Sequence, residues 1–97
     1  MADTILKLAE GACPTIAADI YTAAAKISVL AIDISNSTGS TQDITVKVKG
    51  YILFNVSMPT KGGVSWHGPQ VLEIGDAINM VCDSATCEYN ITGVEVI

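Results

Sequence analysis

Between Ile44 and Phe54 the chain alternates with a period of two. Even positions read Ile44, Val46, Val48, Gly50, Ile52 and Phe54; odd positions read Thr45, Lys47, Lys49, Tyr51 and Leu53. Such alternation sets one face of a strand on a core and the other mostly in solvent. It predicts one strand from Ile44 through Phe54 that continues through Val56, stops at Met58-Pro59 and is bulged or bent at Gly50. A second strand is predicted from Ile27 to Ile34, more continuously apolar and therefore central. The cluster Ser35 to Gln42 between them is rich in Ser, Thr, Asn and Gly and reads as a turn, so the two strands are expected to form a hairpin.

Composition points the same way. Ile, Val and Thr supply 30 of 97 residues against five Leu, and β-branched side chains suit a pleated, half-buried surface better than a helix. The chain from Thr60 to Pro69 reads as irregular, with three Gly and a closing Pro. Strands then follow at Gln70–Ile74, Ala77–Cys82 and about Glu88 to Val96. Gly75-Asp76 reads either as a two-residue turn or as a bend between sheets. Turn signals recurring every 8 to 12 residues predict an all-β fold, a single antiparallel β-sandwich or jelly-roll-like domain, over residues 27–97. Residues 1–26 are expected to form a less regular N-terminal arm or edge segment. Within it Ile16, Ile20 and Ala24 have helical spacing, so a short helix and an edge strand are both open.

The charge balance excludes several functions. Ten acids stand against five Lys and no Arg, for a formal net charge of −5. Nucleic-acid backbones and anionic membrane surfaces call for clustered cations, so neither is expected as a partner. No apolar stretch approaches the length of a membrane span, and the first residues lack the basic and long apolar regions of a signal peptide. With one His and scattered acids, no catalytic set, metal site or cofactor is expected. Low charge beside 49% hydrophobic residues suggests instead that a partner covers some apolar surface.

Three sets of residues are candidates for function. Trp66 and His67 lie in the Gly- and Pro-rich stretch, where a Trp either anchors an interface or folds back to cap the core. Cys82 and Cys87 flank Asp83–Thr86. If that is a hairpin loop, the pair stands within disulfide range; the other reading is three reduced thiols. Cys13 is left over, a candidate for a bridge to a neighbouring subunit. The triplets beginning at Asn36, Asn55 and Asn90 match glycosylation acceptors but arise easily among 16 Ser and Thr.

The run Ile27-Ser-Val-Leu-Ala-Ile-Asp-Ile-Ser-Asn36, the polar turn after it and Ile44-Thr-Val-Lys-Val48 form one half of a longer pattern. Val71-Leu-Glu-Ile-Gly-Asp-Ala-Ile78 and a last strand ending Ile91-Thr-Gly-Val-Glu-Val96 form the other. This order, from Lys26 to Ile97, resembles small β-sandwich structural proteins of tailed bacteriophage virions. The resemblance implies a capsid decoration (cement) subunit located in the virion and assembled in the host bacterial cytoplasm. Its implied partners are the major capsid protein or other virion proteins, with a dimer or trimer as the working state. The alternatives are a neck, collar, tail or baseplate component, or a fibre-associated receptor- or carbohydrate-binding module with Trp66 as its stacking platform. No catalytic residue is implied.

Overall fold

A computed structural model describes residues 5–96. Eight strands follow one another: β1 (Leu6–Ala12), β2 (Ala18–Thr22), β3 (Ile27–Ser35), β4 (Gln42–Val48), β5 (Tyr51–Met58), β6 (Gly63–Leu72), β7 (Ala77–Cys82) and β8 (Glu88–Glu95). They form two four-stranded antiparallel sheets, ordered β1-β8-β3-β6 and β2-β7-β4-β5. The chain changes sheet at every connection except β4–β5, which gives the double Greek-key strand order of an eight-stranded jelly roll.

The core lies between the sheets. Ile27, Val29, Ile32 and Ile34 of β3 meet Ile44, Val46 and Val48 of β4, with Ile78 and Met80 of β7 and Ile91 of β8 filling the layer. Fully burying an Ile or Leu side chain contributes roughly 1.5–3 kcal/mol, so these central strands anchor the fold. The near-continuous apolar reading of β3 has a local cause. Its register slips between Val29 and Ala31 against both neighbours, so Leu30 is the extra residue of a bulge and Val29 and Ile32 both face inward.

Several expectations are corrected. β3 and β4 do not form a hairpin; they lie in opposite sheets, and Asn36–Thr41 carries the chain across the sandwich. The predicted strand Ile44 to Phe54 is two strands, turned at Lys49-Gly50. Both residues have positive φ, 54° and 83°, the pattern of a type I′ hairpin turn. The stretch read as irregular is mostly the ten-residue edge strand β6. Its Pro69 sits on an edge, where a missing backbone donor is tolerated. Gly75 is the third residue of a turn closed by the Asp76 N–H donating to the Glu73 carbonyl at 3.0 Å, and the connection passes between sheets. In residues 1–26, read as an arm or edge segment, β1 pairs with β8 and β2 with β7, so both sheets take an edge strand from this segment, and no helix forms among its described residues. Residues 1–4 of the expected arm lie outside the described residues.

Candidate functional site

The two ends of the sandwich differ in chemistry. At one end lie the β2–β3 connection, the Lys49-Gly50 turn, the Glu73–Asp76 turn, the start of β1 and the end of β8. Among the described residues, eight large hydrophobics are exposed: Ile5, Leu6, Ile16, Tyr51, Ile52, Val71, Ile74 and Val96. All but Ile16 belong to this end. Ile74 is 75%, Tyr51 73% and Ile52 60% exposed. Backbone bonds tie the three connections together. The Ala23 N–H donates to the Asp76 carbonyl at 2.9 Å, the Gly75 N–H to Ala23 at 2.9 Å, and the Lys49 N–H to Ala77 at 3.2 Å. Ion pairs join Lys26 to Glu73 at 3.7 Å and Lys49 to Asp76 at 3.8 Å. Charges thus neutralise one another beside apolar side chains held on a cross-braced frame. A mostly apolar hollow between the edges of the two sheets, lined by Leu6, Leu8, Tyr21, Ala24 and Ile27 with the charged Lys7 and Glu95 also on its wall, extends the same end. Burial, and then the carboxylate of Glu95, raise the Tyr21 hydroxyl pKa.

Nearby edge strands continue this character. β5 and β6, the open edges on one side of the sandwich, contain no Lys, Asp or Glu, whereas β1 carries Lys7 and Glu10 and β2 carries Asp19. Charged side chains on an edge discourage further strand pairing, and β5 and β6 lack that protection.

The opposite end is polar and internally satisfied. Asn36 is 1% exposed at the end of β3. Its Nδ2 donates to the carbonyls of Ser40 (2.9 Å), Met58 (3.2 Å) and Pro59 (3.1 Å). Its Oδ1 accepts from the Thr38 N–H at 3.0 Å and the Thr38 hydroxyl at 2.6 Å. One amide thereby joins the β3–β4 and β5–β6 connections. Burial and these bonds leave Asn36 unavailable as a glycosylation acceptor in the folded chain.

The three cysteines also gather at this end. Cys13, Cys82 and Cys87 are buried and carry free thiols. The hairpin premise for Cys82 and Cys87 is corrected, because β7 and β8 lie in opposite sheets. The crossover nevertheless sets both thiols beside Cys13. Burial, then the neighbouring Cys82 and Cys87, push the Cys13 thiol up to about 12. Burial, then a hydrogen bond with Cys82, push Cys87 up to about 11. Tyr89 is raised by burial and by Cys13. Cys13, the candidate intersubunit thiol, is 1% exposed in the single chain. Among the described residues no three His, Cys, Asp or Glu side chains are arranged to hold a metal ion.

Trp66 and His67 fall on opposite faces of β6. Trp66 stands opposite Ile32 and packs half-buried against the core, while His67 is exposed opposite Ala31. The two side chains therefore do not share one face of the strand. The bracing role of Asn36, singled out in the sequence only as a glycosylation triplet and as the end of an apolar strand, and the apolar end were both missed. The available signals were an Asn closing an apolar strand and bulky aliphatic residues such as Ile52 and Ile74 directly beside turns.

No family model matches the chain, and no curated protein matches it. Among solved structures it is similar to the exo-β-1,3-galactanase of Phanerochaete chrysosporium, solved with galactose. That similarity covers 97% of this chain and 29% of the enzyme, at 11% identity and a TM-score of 0.44. A likeness at this level carries no argument about activity.

Proposed function

We propose that the chain is a structural subunit of a tailed-phage virion, a capsid decoration protein that binds the outer face of the head and stabilises it. The observation that carries this reading is the apolar end, where seven of the eight large hydrophobics exposed among the described residues lie and where backbone bonds tie three connections together. Monomeric proteins seldom leave such groups together unless a partner covers them. The partner in this reading is the major capsid protein. The uncharged edges of β5 and β6 provide a second surface, suited to a dimer or trimer of this chain. The resemblance of the strand-and-turn order to virion proteins supports the same role. Jelly rolls recur in viral capsid proteins and in lectins, and because fold alone does not fix function, the surface carries the argument. The subunit acts by burial of surface, with no reaction of its own.

Quantitative mass spectrometry of purified particles from the virus encoding this chain, with localisation by cryo-electron microscopy, tests the proposal. A copy number comparable to that of the major capsid protein, with density on the shell, is expected. A few copies at the neck, tail or baseplate would replace decoration with a role there. Absence from particles would overturn the virion assignment.

A further inference from the structure

The four edge strands are not protected alike. β1 carries Lys7 and Glu10 and slips in register between Lys7 and Ala9. β2 is five residues long, carries Asp19 and slips between Asp19 and Tyr21. In β6, Gly68 and Pro69 drop out of the register with β3. Charge, proline, shortness and slips are the devices that keep an edge from pairing further. β5 slips once, around Leu53; beyond it Phe54–Met58 pairs without interruption with Gln42–Val46. That stretch holds no charge, Pro or Gly. The apolar layer beside it is also incompletely covered. Phe54 and Val56 of β5 and Val64 and Trp66 of β6 pack against the core yet are only half-buried. They leave an apolar seam along this side of the sandwich, while Asn55 and Ser57 alternate with them and are exposed.

We propose that Phe54–Met58 pairs antiparallel with the same residues of a second copy about a two-fold axis at Val56, joining two four-stranded sheets into one of eight. Val56 then meets its own copy, and Asn55 lies opposite Ser57 of the second copy. Three arguments select a second copy as the occupant. An antiparallel edge turned by a two-fold axis is its own complement, so a single surface serves both partners. Each chain has a net charge of −5, and two such chains meet at least cost where no carboxylate stands; β5 and β6 contain none. β4 also presents Asp43 opposite Ser57 and Lys47 opposite Ile52, so the two-fold sets the acidic end of one copy toward the basic end of the other. A short strand pair alone buries less than the roughly 1,000 Å² that a specific interface needs. The seams of the two copies, closing on each other, supply the remainder. The inference rests on the proposed function only in taking this side as the contact between copies. Tyr51 and Ile52 lie before the slip, outside the pairing, and stay available to the shell.

Sedimentation equilibrium of the full chain measures the assembly, and hydrogen–deuterium exchange at high and low protein concentration locates the contact. The expected result is a two-chain species whose added protection at high concentration centres on residues 51–58. Val56→Lys sets two ammonium groups together at the axis and should weaken association by about 100-fold or more, while Val56→Ile should remain dimeric. The Ile52→Glu, Ile74→Glu pair at the apolar end should remain dimeric as well; its dissociation would move the contact to that end and overturn the proposal. A single-chain species at every concentration, or added protection confined to other strands, would also overturn it. The wild-type exchange map decides even where Val56→Lys folds poorly. A monomer that still binds shells would remove the pairing and leave the docking role standing, and a dimer paired through β5 that binds no shell would do the reverse.

Discussion

Asn36 offers the sharpest test of how the polar end is held. Substitution by Ala removes two donors and an acceptor from a site that is 1% exposed. The Met58 carbonyl lies in the interior and loses its amide partner, as do the part-buried Ser40 and Pro59 carbonyls and the Thr38 N–H. Leaving one buried group unsatisfied costs about 1–3 kcal/mol, and each ordinary hydrogen bond contributes about 1 kcal/mol. Counting Met58 at the full penalty and allowing water to reach the other groups, Asn36→Ala should destabilise the fold by about 3 kcal/mol. That is a large part of the roughly 5–15 kcal/mol that holds a domain of this size. Asn36→Asp is the discriminating companion. It keeps the shape and the acceptor but turns an anion toward three carbonyl oxygens, so it should destabilise at least as much as Ala at neutral pH. Urea unfolding followed by Trp66 fluorescence measures both. A loss below about 1 kcal/mol for Asn36→Ala at unchanged m-value, or wild-type stability for Asn36→Asp, would refute the reasoning.

Other predictions follow from the turns, the edges and the thiols. Gly50→Ala places a Cβ at φ 83° and should lower stability by about 1 kcal/mol, while Lys49→Asn, which suits the left-handed position, should raise it by a few tenths, both read from urea midpoints. Deleting residues 1–26 removes β1 and β2 and uncovers β8 and β7. The product should aggregate or lose its cooperative unfolding transition; a soluble, cooperatively folded 27–97 fragment would contradict the pairing. Cys13 and Cys87, held as thiols by burial and by their neighbours, should react with iodoacetamide at pH 7 roughly 100-fold more slowly in the folded chain than in urea. Their reaction should accelerate as pH rises toward the raised thiol values, and equal rates in both states would show the cluster to be open.

Much of this architecture was legible in the sequence, and the parts that were not have identifiable causes. The strands at Ile27, Ala77 and Glu88 stood out because inward aliphatics alternate or cluster between clear turns. The Lys49-Gly50 turn was hidden by two shifts of phase. The turn pairs Val48 with Tyr51, which reverses the inward parity, and the register slip around Leu53 restores it, so Val46 again faces Phe54. Eleven residues therefore read as unbroken alternation, with a Lys where Asn or Asp would have signalled the turn. Crossovers were invisible for another reason. The composition of Ser35–Gln42 marks a turn but does not say whether the next strand returns beside β3 or crosses to the facing sheet. In β6, Gly63, Gly68 and Pro69 masked a strand because edge positions tolerate residues that a central strand rejects. The thiol cluster depends on crossovers between sheets, whereas the sequence singled out Cys82 and Cys87 through a hairpin that does not form.

The central claim is that the apolar end docks on the shell. Its most direct test is the binding of purified protein to particles lacking it, comparing the wild type with an Ile52→Glu, Ile74→Glu double variant. Both positions are mostly exposed, at 60% and 75%, so the variant should keep the wild-type urea midpoint. The account predicts that the wild type co-sediments with the shells and that the folded variant stays in the supernatant. Equal binding by the two proteins would contradict it.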